Sequence, residues 1–401
     1  MSSDRLPTEV DIRLVDTYRA WHAMEQASSG VEIIDFDLAQ PRTVRPAQNR
    51  AQIARRLSDL LQEVVASASP YPLVQQRLKA SLAYLRALEG ERMEIDDYIR
   101  VTLGISPVVI REEEIAARRE AIDVALHQLT SLQRGEAPLS FRCEDFPRFQ
   151  SLFRYPNPGN LPRLFELYRD KWLPVLLARL KTPFDPSMVH IEFASEDAYW
   201  KNWISGNLSQ QQVLLRINYH PRHTWYQGAP ETLVLHEYCG HAVQMASWFA
   251  RISRGELSEF SGILTVHFPD QFILEGLAEA LIHVLPNGTA LEPEAVVLKE
   301  LNDHSMMVWN NAHLIANREG SAHAAAYAAR HLAFSSVSTI QAEIRDRSQH
   351  PLFRTYQYVY GIALQAFLAA LRGLSDEKRW DLLRRVYNGP MMPDEFLALG
   401  R

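Results

Sequence analysis

Apolar residues recur at intervals of three and four through most of the chain, a spacing that predicts a mainly helical protein. Ile12, Leu14, Val15, Tyr18, Trp21 and Met24 mark an amphipathic first helix over residues 11–27. Residues 35–46 read as a connection, because Pro41 and Pro46 lack the amide that a helix interior needs. Helical spacing returns over residues 53–65, 73–88 and 112–132, with Pro70-Tyr71-Pro72 and residues 104–107 as breaks. Residues 161–180 continue the series, and Pro174 is expected to kink or divide that helix.

The period changes at Val189-His190-Ile191-Glu192-Phe193 and over residues 211–219, where β-branched and aliphatic side chains predict two short strands. An edge strand there would be able to hold an extended peptide through main-chain hydrogen bonds. Helical spacing resumes at Pro230, which suits a first turn, and runs to about residue 251. It returns over residues 272–281, 293–317, 321–333 and 341–345, and after the break at Pro351 comes Arg354-Thr355-Tyr356-Gln357-Tyr358-Val359-Tyr360-Gly361. The expected division is a helical region at 1–155 and a metal-binding catalytic region at 156–401, together one compact unit. Residues 135–138 and 155–159 are the candidate boundaries.

The chain has 401 residues, enough for one large enzyme body, and a formal net charge of -6, which argues against a general nucleic-acid binder. Its two cysteines, Cys143 and Cys239, make no disulfide framework, so a cytoplasmic location is expected. No membrane association is expected either. The first residues lack a signal peptide's apolar core, and the best apolar stretch, 361–371, falls short of about 20 residues and contains Gln365.

Candidate chemistry centres on His236-Glu237-Tyr238-Cys239-Gly240-His241, which closes the apolar run Leu233-Val234-Leu235. Two imidazoles flanking a glutamate offer two neutral nitrogen ligands to zinc, with a carboxylate beside them to take a proton from water that the ion activates. The familiar motif puts its histidines four residues apart, within about 40° on an α-helix; five apart the offset is about 140°. Only a local widening, a π-bulge, turns both rings to one ion, and Gly240 stands where such a distortion is cheapest. Cys239 leaves the helix between the histidines and is expected to fill a small buried apolar position.

Downstream, Glu275 and Glu279 lie at i and i+4 of an apolar helix and point the same way. A buried acidic pair is expensive without a cation. Glu275 is the expected third zinc ligand, and Glu279 the acceptor that fixes a liganding histidine's tautomer. His283, one turn on, is expected to be a core histidine bonded to a carbonyl. His220 and His223 lack a nearby carboxylate or cysteine to complete a site of their own and read as loop or substrate-contacting residues. Trp200, Trp203, Trp225 and Trp248 hint at an aromatic pocket.

The segment from His236 to His241 resembles the six-residue His-Glu-x-x-Gly-His form of dipeptidyl-peptidase III, whose helix is similarly lengthened by one residue. The order of this motif, then Glu275-Gly276-x-Ala278, then a Tyr-x-x-Gly segment at Tyr358 and Gly361, is similar to a large bacterial gluzincin-like family, the domain of unknown function numbered 885. The Gly240-His241 ending and Gln244 agree with that family. Its first motif is usually one residue longer, and Leu277 stands where it usually has tryptophan. The resemblance covers the chain from about His190 onward.

It implies a gluzincin-like helical zinc metallopeptidase with a small sheet beside the active-site cleft. His236, His241 and Glu275 would hold Zn2+, and Glu237 would act as general base. Tyr358 is the first choice of donor to the oxyanion, ahead of Tyr360 and Arg354. The expected substrate is a peptide. The alternatives are a metal-dependent hydrolase of a small amide, another enzyme acting on a small molecule, and a non-catalytic binding protein on a peptidase scaffold.

Overall fold

The computed structural model describes residues 5–67, 71–155, 157–181, 184–198, 200–207, 212–286 and 288–399. Parts of three sequence features, at Pro70, Pro156 and Gln211, lie outside them. Among the described residues the fold is mainly helical, 66%, with two small open sheets. Periodicity finds most of the helices because each buries one stripe. In Thr8–Ser28, for example, Leu14, Val15, Tyr18 and Trp21 are wholly enclosed. Arg50–Ala66 and Pro72–Leu88 pack with it around a core that also takes Phe260, Ile263 and Phe268 from the later half of the chain. Burying each such large apolar side chain is worth roughly 1.5–3 kcal/mol.

Three expectations change. The 35–46 connection contains a strand, β1 (Phe36–Asp37), antiparallel to a second short strand at Ile263–Leu264. Two residues are too few to show a period. The two expected strands, β2 (Val189–Ala194) and the strand Gln212–Asn218, run parallel, and a third, β3 (Asn202–Asn207), lies antiparallel on the far side of Gln212–Asn218, giving the order β2, Gln212–Asn218, β3. Ser205 and Gly206 weaken the strand signal of β3. Pro174 does not divide its helix, which is continuous over Leu161–Leu180. Both Pro174 and Asp170, whose carbonyl loses its usual partner, are exposed, so water replaces the missing hydrogen bond.

The largest core gathers Trp172 and Leu176 from that helix, Val213 and Leu215 from the sheet, and Val234, Leu235, Phe272 and Leu277 from the two helices that carry the candidate ligands. Those two helices touch at backbone distance. A Cβ on Gly240 would come within 2.8 Å of the Ala278 side chain, and one on Gly276 within 2.5 Å of the Phe367 ring. Gly240 is therefore required by helix packing; its value lies in the close approach of Asp270–Val284. Gly276 does the same for the helix Phe353–Leu371 on the other side.

Candidate metal centre

The motif helix runs Ala229–Leu233, Val234–Ala242, Val243–Ser253, and its middle nine residues are π-helical. Winding with i→i+5 hydrogen bonds brings residues five apart to one side. His236 and His241 accordingly converge, their Nε2 atoms 3.2 Å apart. Glu275, from the opposing helix, places Oε2 3.5 Å from each of those nitrogens. Ligands about 2.0–2.1 Å from a tetrahedral zinc stand roughly 3.3–3.4 Å from one another. The triangle has those dimensions. Glu275 Oε2 is also buried with no hydrogen-bond partner, the condition of an oxygen that a cation would satisfy.

The surrounding groups hold this triangle in place. Glu279 Oε1 lies 3.3 Å from His236 Nδ1, the side of the ring away from the triangle, and fixes Nε2 as the free nitrogen. Tyr356 donates its hydroxyl to Glu275 Oε1 at 2.7 Å, leaving Oε2 to face the histidines. Glu237 Oε1 is 3.8 Å from His236 Nε2 and accepts a hydrogen bond from the Asn202 side chain of β3.

Burial dominates the electrostatics, and it works against every charge. It pushes Glu237 up to about 7 and, with the charges of Glu275 and Asp303, raises Glu279 well above its usual range. Asp35, beside β1, is pushed up to about 7 by burial, then by Glu32 and Glu275. His236 is held down to about 4 by burial and by His241. For His241 burial is outweighed by Glu275, Glu237 and Asp35, so its pKa rises; for Glu275 burial is outweighed by the two imidazoles and Tyr356, so its pKa falls. Acidic groups outnumber the bases that balance them, and one bound cation would relieve all of them at once.

The remaining predicted residues sit elsewhere. Tyr358 gives its hydroxyl to the Val108 carbonyl and packs with Ile95, Ile99 and Leu314. It lies two positions from Tyr356, about 200° around an α-helix, and so faces away from the cluster. Arg354 bonds Asn317 and lies over the Tyr98 ring, also away from it. Tyr360, one turn from Tyr356, packs against that ring at 5.3 Å on the cluster side. His283 hydrogen-bonds a carboxylate oxygen, Asp303 Oδ1, at 3.4 Å, instead of the expected carbonyl. His220 and His223 hydrogen-bond within their own loop and with Asn218. Cys239 is buried in the core, and among the four tryptophans only Trp225 lines the cavity next to the site.

Asn202, Tyr356 and Asp35 carry no role in the sequence reading. The i,i+4 spacing of Tyr356 and Tyr360 was a usable signal for Tyr356. Asn202 and Asp35 come from strand and loop segments brought in only by folding.

No family model matches the chain, and no curated protein matches it. Several solved structures share the fold, among them two bacterial proteins. One is a putative lipoprotein from Colwellia psychrerythraea, with a TM-score of 0.53 and 14% identity, covering 88% of this chain; the chain spans 60% of that protein's length. The other is a putative lipoprotein of unknown function from Shewanella oneidensis, with a TM-score of 0.52 and 10% identity, covering 87% of this chain and 72% of that one. These neighbours overturn the expected cytoplasmic location. A scarcity of cysteine shows only that disulfides are not used, and a lipid-anchored protein needs neither disulfides nor an apolar span. Among the described residues no helix is long and apolar enough to cross a membrane.

Proposed function

We propose that the protein is a zinc-dependent hydrolase that cleaves the amide bond of a short peptide or another small amide. The supporting observation is the triangle of His236 Nε2, His241 Nε2 and Glu275 Oε2, with edges of 3.2, 3.5 and 3.5 Å around an oxygen that has no other partner. A His, His, Glu set suits zinc, which when bound there would polarise a carbonyl and make water more acidic. The cavity beside His236, about 260 Å³, takes one side chain or a terminal residue, which favours small substrates over folded proteins.

Glu237 is the general base. Lying 3.8 Å from His236 Nε2, it is placed to accept a proton from the attacking water and return it to the leaving nitrogen, so that amide and water become acid and amine. Asn202 orients Glu237. Tyr356 positions Glu275, and Tyr360 is the remaining oxyanion donor of the three that the sequence suggested. The regions 1–155 and 156–401 are proposed to act as one unit, since Arg77 of the first grips Asp270 at the start of the Glu275 helix. Following its structural neighbours, we place the protein outside the cytoplasm.

The test is a pair of variants. Glu237→Gln should keep full metal content while turnover falls about 10²–10⁴-fold; unchanged turnover removes Glu237 from the role of base. Glu275→Ala should lose the metal, and retained stoichiometric metal would show that the triangle does not hold it.

A further inference from the structure

We propose that Lys201 is an anion subsite of this cleft and receives a carboxylate of the substrate. The inference rests on the preceding reading in taking the cavity beside His236 as the place where substrate lies. Lys201 lines that cavity together with His236, Glu279 and Trp225, and its neighbour in sequence, Asn202, holds Glu237. The ammonium thus stands one residue from the group that positions the base.

The partners of Lys201 leave it unneutralised. Its Nζ donates to the Thr224 carbonyl at 3.2 Å and sits 4.1 Å from the centre of the Trp225 ring. An ammonium has three N–H donors; the carbonyl takes one and the ring face another, so donor capacity remains. Among the described residues no carboxylate lies within ion-pair distance of it, whereas Lys171 has Glu231 and Lys299 has Glu300. Lys201 is half-buried, and that burial pushes its ammonium down to about 8.

The acids that share the cavity have imidazole or guanidinium groups beside them. Glu279 faces His236 Nδ1, and Asp303 lies 3.1 Å from His283 and 3.2 Å from Arg118. A carboxylate entering the cavity would meet Lys201 as its free cation, held in place by Trp225. Two sources supply that carboxylate: the free C-terminus of a peptide, or an acidic side chain.

Calorimetry on zinc-loaded Glu237→Gln protein tests this without turnover, using three ligands: N-acetyl-Ala-Ala as the free acid, the same dipeptide as its C-terminal amide, and N-acetyl-Ala-Glu amide. One of the two carboxylate ligands should bind about tenfold tighter than the neutral amide, and which one identifies the source. Adding Lys201→Met should bring the ratio close to one, and Lys201→Arg should restore part of it. Equal binding of all three ligands overturns the proposal. So does a preference that survives Lys201→Met, because the carboxylate would then be bound by the metal or by another group. Absence of hydrolysis with any substrate, alongside an intact Lys201-dependent preference, would sink the hydrolase reading and leave the subsite standing.

Discussion

Two buried polar clusters lie at opposite ends of one short helix stretch, and they are built from the same residue types to opposite effect. Around Asp270, at the start of the Glu275 helix, Arg77, Tyr18, Ser81, Thr265 and His267 all find partners, and among the polar groups packed there the Tyr84 hydroxyl, on the ring stacked against His267, is left without one. Arg77 grips both Asp270 oxygens at 2.8 and 2.6 Å and the Phe260 carbonyl at 2.7 Å. Nearby, Tyr18 reaches Ser81 at 2.6 Å, Ser81 reaches His267 Nε2 at 2.9 Å, and Thr265 closes His267 Nδ1 at 2.8 Å. Around Glu275 two imidazole nitrogens face each other and a carboxylate oxygen with no partner, amid further acids that burial opposes. A satisfied cluster fixes a fold, while an unsatisfied one at equal depth is a site awaiting a ligand. The histidines show the contrast most simply. His267 has both ring nitrogens bonded within the protein, and His236 has Nδ1 occupied and Nε2 left for something else.

Breaking the satisfied cluster should cost stability and spare metal binding. Arg77→Met leaves Asp270 buried and unpaired, so unfolding in urea should show a loss of about 3–5 kcal/mol, with metal stoichiometry unchanged under conditions where the protein is still folded. A loss below about 1 kcal/mol would mean that the pair does not hold the N-terminal helices to the Glu275 helix. Disturbing the unsatisfied cluster should do the reverse. Glu279→Gln should weaken zinc about 10–100-fold in competition with a chromophoric chelator while the urea midpoint of the metal-free protein holds or rises, since an acid that burial opposes is removed. An unchanged zinc affinity would show that Glu279 does not set the His236 tautomer. The smallest effect belongs to Tyr356→Phe. It removes one hydrogen bond to Glu275 and should lower zinc affinity by about tenfold or less, with no change in the unfolding midpoint above a few degrees. A complete loss of metal there would make Tyr356 more than a positioning residue.

Several parts of this arrangement can be read along the chain because they are local. The five-residue spacing of His236 and His241 demands extra winding, and the helix is π-wound over Val234–Ala242. Glu279 lies one turn from Glu275 because both share an apolar helix, and it meets His236. Tyr358, by contrast, was favoured by its place in a Tyr-x-x-Gly pattern. The register of Phe353–Leu371 against the Glu275 helix, set partly by Phe367 lying over Gly276, turns Tyr356 inward instead. The strand at Asn202 is masked by its small polar residues, and Asp35 belongs to a stretch that the prolines mark as loop.

By itself the sequence determined the helical character, the helix that carries the two histidines, and the acidic helix that answers it, because repeat spacing and buried charge are properties of single segments. Only the tertiary structure decided which tyrosine meets Glu275, that Asn202 holds Glu237, and that Lys201 enters the cavity without a counter-ion. Those pairings join residues far apart in the chain, and their geometry follows from how helices and strands close on one another, which no local pattern encodes.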